Sequence, residues 1–236
     1  MEFTHPLVSG KLVRRYKRFL ADVELESGEV ITAHCANPGS MMGLNAPGLK
    51  VWLEPADNPK RKLKYSWRLV EMTDAMAGID TGVPNKLVLE ALAARQIPEL
   101  AAYSGIRPEQ RYGSNSRIDF LLQQDGLADS YVEVKNVHLC RASRLAEFPD
   151  SVTARGTKHL GDLAAEVEAG HRAVMFYVIQ RDDCDRLDLA DDIDPAYARA
   201  FDAARARGVE VLAYACMLSP FRITLDRAIP IVRQTP

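Results

Sequence analysis

The sequence predicts an α/β protein with an all-β N-terminal part, a small barrel followed by a domain built on a mixed sheet. Three observations carry this. Before residue 80 there are several short strand patterns and no convincing helical stripe. Two apolar-alternating runs at 116–122 and 131–137 flank the polar segment Gln123-Gln124-Asp125-Gly126, which is hairpin chemistry. The unbroken apolar run Ala173–Ile179 lies between two helical stripes, as expected of a strand buried on both faces.

Taken in order, residues 18–25 and 29–35 read as a hairpin around Ser27-Gly28. Leu49–Leu53 and Leu63–Val70 add two strands, with Pro and Gly in the connections. The pattern breaks across Met72–Pro84, where Gly78, Gly82 and Pro84 interrupt it, giving domains at 1–80 and 81–236. Pro84 suits a first helical turn. Leu87, Val88, Ala91, Leu92 and Ala94 continue a stripe to about Arg95, before Pro98. Residues 106–112 read as a strand, ahead of the 116–122 and 131–137 pair.

A helix is predicted from Lys158, with Thr157 as its cap, Leu160, Leu163, Ala164 and Val167 inward, and Gly170 at its close. Asp182–Asp194, with seven Asp, reads as a solvated turn. Asp194-Pro195 opens a helix that buries Tyr197, Ala200, Phe201 and Ala204 and stops at Gly208. Val209–Tyr214 returns to strand. The order α-β-β-β-α-β-α-β is the core of the restriction-endonuclease-like, PD-(D/E)XK fold, whose metal ligands sit on the second and third strands.

Candidate chemistry concentrates on that strand pair. A period of two puts Asp119 opposite Ile118 and Phe120, and puts Glu133 with Lys135 opposite Val132 and Val134. A hairpin can gather Asp119, Glu133 and Lys135 on one side of the sheet. Two carboxylates suit Mg²⁺ or Mn²⁺, with the backbone carbonyl of Val134 as a further ligand. The ammonium can steady a water or a phosphate oxygen. The same residue types also decorate ordinary wet strand faces. Auxiliary candidates are Glu90 from the first helix, Asp150 as a ligand or a turn cap after Pro149, and Lys158 and His159 as phosphate contacts near a helix N-terminus. If the chain is an enzyme, this set specifies a divalent-metal-dependent deoxyribonuclease.

Net charge is −2, so the chain as a whole does not advertise nucleic-acid binding, but the distribution is uneven. Residues 1–70 carry +4 and residues 71–236 carry −6. The positive residues cluster as Lys11, Arg14, Arg15, Lys17 and Arg18, and again as Lys60, Arg61, Lys62, Lys64 and Arg68. Tyr16, Phe19, Tyr65 and Trp67 interleave with them. Such a surface fits sequence-tolerant binding of a phosphate backbone, and equally a solvated basic strand face over an aromatic core. Cys35, Cys140, Cys184 and Cys216 have no metal-ligand spacing and read as reduced thiols. With no signal-peptide pattern or membrane-length apolar run, a cytoplasmic location is expected.

Several segments make a closer resemblance. His34-Cys-Ala-Asn-Pro-Gly-Ser-Met41, Asn58-Pro-Lys-Arg-Lys62, Ser116-Arg-Ile-Asp-Phe120, Tyr131-Val-Glu-Val-Lys-Asn136 and the run Phe148–Leu160 occur in order. Ile193–Tyr197 and Gly208–Tyr214 follow. Together they resemble the sugar fermentation stimulation protein A family across essentially the whole chain. The resemblance implies an OB-like barrel, a nuclease-like C-terminal domain, non-specific DNA binding and a part in regulating sugar (maltose) metabolism. It leaves room for a homo-oligomer. The chain departs from the family pattern at Ala36 and Pro38, where Pro and Thr are expected, and at Ala154 and Thr157, where Glu and Gln are expected beside the site. Ile118 stands where the fold's eponymous proline would be.

Overall fold

Six short strands make up the first 80 residues of the computed structural model, which describes residues 1–113 and 116–233. They are β1 (Val8–Tyr16), β2 (Leu20–Leu25), β3 (Val30–Cys35), β4 (Lys50–Pro55), β5 (Tyr65–Glu71) and β6 (Met76–Gly78). Their order is β3-β2-β1-β4-β5-β6, and a parallel contact of β3 with β5 closes the first five strands into a barrel. Leu12, Val23, Ala33, Val51, Leu53 and Trp67 fill it. Trp67 is wholly buried, so this aromatic belongs to the core and not to an exposed face. Strand β1 has no counterpart in the sequence reading. A register shift between Leu12 and Arg14 breaks its alternation just where cations dominate.

The second part runs α1 (Val83–Ala93), β7 (Gly105–Tyr112), β8 (Ser116–Gln123), β9 (Ser130–Val137), β10 (Leu139–Ala142), β11 (Leu145–Phe148) and α2 (Ala154–Glu168). It continues through β12 (Arg172–Ile179), β13 (Arg186–Leu189), α3 (Pro195–Ala206), β14 (Glu210–Leu218) and β15 (Ile223–Ala228). The main sheet is ordered β15-β14-β12-β9-β8-β7. Strands β9, β12 and β14 are parallel to one another, and the outer strands are antiparallel. Leu87, Val88 and Ala91 of α1 pack with Phe120, Val132 and Phe176 on one face. Leu160, Leu163, Tyr197 and Phe201 of α2 and α3 pack with Tyr177 and Ile179 on the other. No helix among the described residues is long and apolar enough to cross a membrane, and all four cysteines are free thiols.

Two sequence expectations are corrected. Helix α2 starts at Ala154, and its cap is Thr153, whose side chain accepts from the Gly156 amide at 3.1 Å. Thr157 instead lies in the first turn and donates its hydroxyl to the Thr153 carbonyl. The polar Arg155-Gly156 step hides this first turn from an apolar-stripe reading. The acidic segment 182–194 is not all solvated turn. Leu187 and Leu189 alternate between its aspartates, and both are buried in β13, which pairs in parallel with β11. Asp194, 2% exposed, caps α3 through the Tyr197 amide and also accepts from the Thr153 amide.

The two parts are bracketed by the turn that follows β3. Asp150 accepts from the Ser40 amide at 3.0 Å and stands 3.3 Å from His138 Nε2. A side chain on Gly39 would place its Cβ 2.4 Å from Asp150 Oδ2, so only glycine allows this approach. From the barrel side, Arg15 donates to the carbonyls of Asn37 (2.7 Å) and Gly39 (3.0 Å), and Asn37 donates to the Ile79 carbonyl.

Candidate functional site

Strands β8 and β9 pair through Phe120–Val132, Leu121–Tyr131 and Leu122–Ser130. Before Phe120, β8 peels away, and the Asp119 carboxylate takes over a backbone role: its Oδ2 accepts from the Val134 amide at 2.7 Å. Asn85, near the start of α1, donates to Oδ1 at 2.7 Å. On β9, Glu133 Oε1 accepts from Lys135 Nζ at 2.6 Å and from His159 Nδ1. Arg155 Nε donates to His159 Nε2 at 3.2 Å. A guanidinium can only donate, so Nε2 accepts and Nδ1 carries the proton given to Glu133.

These residues floor a cavity of about 560 Å³ in the split between β8 and β9. Its walls are the start of α1 (Asn85, Lys86) and the start of α2 (Arg155, His159). Both helices therefore present their positive N-terminal ends to the same space, which favours an anion. Glu133 is 3% exposed, and its Oε2 has no hydrogen-bond partner among the described residues. Burial works to raise this carboxyl, but the hydrogen bond from His159 and the charge of Lys135 outweigh it and hold it below the ordinary range. Asp119 moves the other way. Burial, then the neighbouring Glu133 charge, push its carboxyl up, against the Val134 and Asn85 hydrogen bonds.

A hard divalent cation fits this donor set. A buried carboxylate oxygen without a partner sits beside a second carboxylate whose charge is disfavoured by it, and positive charge would relieve both. No group of three or more His, Cys, Asp or Glu side chains with metal-holding geometry occurs among the described residues. The carboxylates that line the cavity are those of Asp119, Glu133 and Glu109.

The other expected residues are dispersed. Glu90 is exposed on α1 and pairs with the Met1 amine at 2.5 Å, outside the cavity. Asp150 is the bracket to the barrel, because the turn at Gly39–Ser40 seats on its carboxylate. Lys158 pairs with Asp162 at 2.7 Å and lines a neighbouring cavity, whereas His159, one residue on, reaches the site. In the barrel, Arg14 pairs with Asp22, and Arg15 is occupied by backbone carbonyls. Lys11 borders a groove shared with Glu24 and Glu26. Lys17 and Arg18 form the β1–β2 turn, both with positive φ, 48° and 62°. Lys60, Arg61, Lys62 and Lys64 occupy the β4–β5 connection, where Lys64 donates to the Pro59 carbonyl. None of these barrel cations lines the site cavity.

Ala154 and Thr157 do not line it either; Arg155 and Gly156 do. The structure adds Asn85 and Glu109, which carried no sequence signal, and Arg155, which was visible only as part of a family motif. Glu109 lies across the β7–β8 ladder from Asp119, lines the cavity and holds φ at 56°, an unusual conformation for a residue with a side chain.

Comparison with known proteins agrees with this architecture. Residues 13–79 match the family model described as the SfsA N-terminal OB domain. Residues 82–222 match that of the sugar fermentation stimulation protein RE domain. The sugar fermentation stimulation protein homolog of Dinoroseobacter shibae is 64% identical, covering 98% of this chain and 96% of its own. That of Agrobacterium fabrum is 54% identical, covering 96% and 95%. The solved structure of Pyrococcus furiosus SfsA in complex with Ca²⁺ is 25% identical, with a TM-score of 0.87 and coverage of 98% and 97%.

Proposed function

The chain belongs to the sugar fermentation stimulation protein family, and from its site we propose that it binds DNA along the phosphate backbone without sequence preference, presenting a phosphodiester to Asp119, Glu133 and Lys135. The observation that carries this is the unpartnered, buried Oε2 of Glu133. It lies beside Asp119 on the floor of a cavity whose walls hold Lys86, Arg155 and two helix N-termini. That is a place for a hard cation directly under a place for an anion. A family relative solved with Ca²⁺ is in keeping with such a cation.

Asp119 and Glu133, with the Val134 carbonyl, would hold Mg²⁺ or Mn²⁺. When bound, such an ion polarises a phosphate oxygen and lowers the pKa of its water. The chain's own residues do the rest. Asn85 and the Val134 amide fix the Asp119 carboxylate. His159 and Lys135 fix Glu133. The Lys135 ammonium opposes the negative charge that gathers on a phosphate under attack. Hydrolysis is the second reading, and one observation favours it over binding alone. Asp119, Glu133 and Lys135 all line the same cavity. A role in regulating sugar (maltose) metabolism would act through the DNA contact, in the cytoplasm.

The test is nicking of supercoiled plasmid with Mg²⁺ or Mn²⁺, alongside a gel-shift measurement on the same preparations. Affinity should fall steeply with salt, because phosphate contacts carry it. Lys135→Ala should lower the cleavage rate by ~10²–10³ and affinity only modestly. If the protein binds DNA but leaves it intact across metals and pH, the hydrolytic reading fails and binding stands. If it binds no DNA, both fail.

A further inference from the structure

Across the wall formed by Arg155 and His159 lies a second cavity of about 590 Å³, which the site described above does not use. Arg111, Arg117, Arg155 and Lys158 line it, and no carboxylate does among the described residues. The four cations are unequally satisfied. Lys158 is paired with Asp162 at 2.7 Å, and Arg117 lies 3.6 Å from Glu109. Arg155 has the His159 ring as its hydrogen-bond acceptor, and Arg111 has no ion-pair partner among the described residues. Like charges gathered on one concave wall repel one another until an anion joins them.

A second, independent observation points the same way. Tyr112 stands in this wall, is 6% exposed, and its hydroxyl has no hydrogen-bond partner among the described residues. A buried donor without an acceptor costs stability, and such a cost is kept where a ligand completes it. Burial, and then the nearby Glu133 charge, push the Tyr112 phenol up, so it remains a donor. Guanidinium forks with a phenolic O–H are the donor set for a phosphate oxyanion.

We propose that this cleft holds the DNA phosphate neighbouring the one at Asp119 and Glu133, with Arg111, Arg117 and Arg155 as its charge partners and the Tyr112 hydroxyl as a neutral donor. The proposal rests on the DNA-binding reading above, and it runs the strand over the C-terminal domain instead of over the basic barrel surface. Because Arg155 borders both cavities, the two phosphates share one wall.

The experiment is fluorescence-anisotropy titration of labelled single-stranded and duplex oligonucleotides in chelator, so that cleavage does not intervene, over a range of salt. The wild type, an Arg111→Glu/Arg117→Glu double variant and Tyr112→Phe are compared. Both arginines are exposed, so the double variant should fold normally. It should lose affinity at least tenfold, and its slope of log affinity against log salt should flatten by about 0.7–0.9 for each phosphate the protein no longer neutralises. Tyr112→Phe should bind about tenfold more weakly while melting no lower than the wild type, since it removes an unpartnered buried hydroxyl. A role confined to packing would not separate those two readouts. If the wild type binds DNA and both variants match it, the cleft is not on the strand's path, and the DNA-binding reading survives. If the wild type binds no DNA, that reading falls and the cleft assignment falls with it. Inorganic phosphate is titrated as a competitor. Loss of phosphate binding in the variants with oligonucleotide affinity unchanged would overturn the assignment in favour of a free anion.

Discussion

Asp150 separates a structural from a metal-binding role most sharply, and the perturbation is Asp150→Asn. Its carboxyl is 19% exposed in its side chain and is held down at about 2 from an ordinary 3.8. Burial acts to raise it, and the His138 hydrogen bond and charge, with the amides of Met41 and Ser40, outweigh that. Holding it there amounts to about 2 kcal/mol of stability at neutral pH. Because the folded value lies below the unfolded one, this contribution is complete above about pH 4 and is lost as pH falls from there towards about 2. Asp150→Asn keeps the shape and removes the charge, so it should cost about 2 kcal/mol at pH 7 and little near pH 2. The assay is urea unfolding followed by tryptophan fluorescence. Both tryptophans, Trp52 and Trp67, lie in the barrel that the bracket holds. With a slope of about 2–3 kcal/mol per molar for a chain of this size, the midpoint should fall by about 1 M at pH 7. Mn²⁺ binding should be unchanged. An equal loss of stability at about pH 7 and about pH 2.5 would refute the charge argument. Intact stability with lost Mn²⁺ binding would return Asp150 to the metal site.

Three further outcomes are expected. Calorimetric titration with Mn²⁺ should show one site per chain, absent in Asp119→Ala, and equal binding by both proteins would move the site elsewhere. Because burial and Glu133 push Asp119 up, protons should compete with the cation at a pH above the ordinary carboxylate range, and affinity should fall as pH falls through it; a pH-independent affinity from about 7 down to about 4 would contradict this. Cys140 is partly exposed and lowered to about 7, first by the Cys184 hydrogen bond and further by the Arg181 charge against opposing burial, so iodoacetamide near neutral pH should label it well before the buried Cys35, Cys184 and Cys216; simultaneous labelling of all four would sink that ordering.

The gathering of Asp119, Glu133 and Lys135 at one cavity was legible in the chain because a strand's side-chain period leaves little freedom. Once 116–122 and 131–137 were strands, Glu133 and Lys135 had to share a face, and a hairpin had to bring Asp119 near them. The run Ala173–Ile179 was likewise legible as the strand buried on both faces, and the His34–Met41 motif and the Arg-Gly-Thr-Lys-His segment marked the family. Short elements were not. β10, β11 and β13 have four residues each, too few for periodicity to stand out, and β13 was masked by the aspartates around Leu187 and Leu189.

Long-range placement decided the rest, since it depends on which loops meet and no local pattern records that. Asp150 and Glu90 looked like site carboxylates, but the distant Gly39 turn seats on one and the chain's own amine takes the other. Arg155 and His159 lie four apart on α2 and so share a face, but only the packing of α2 against β9 aims that face at Glu133. The barrel cations were conspicuous in the sequence because they are adjacent there. The cations that line the two cavities, among them Lys86, Arg111, Arg117, Lys135 and Arg155, are scattered along the chain, and strand order and helix docking collect them. Charge adjacent in sequence is visible by inspection, whereas charge adjacent in space is made by strand order and helix docking, and here the two pointed to different surfaces.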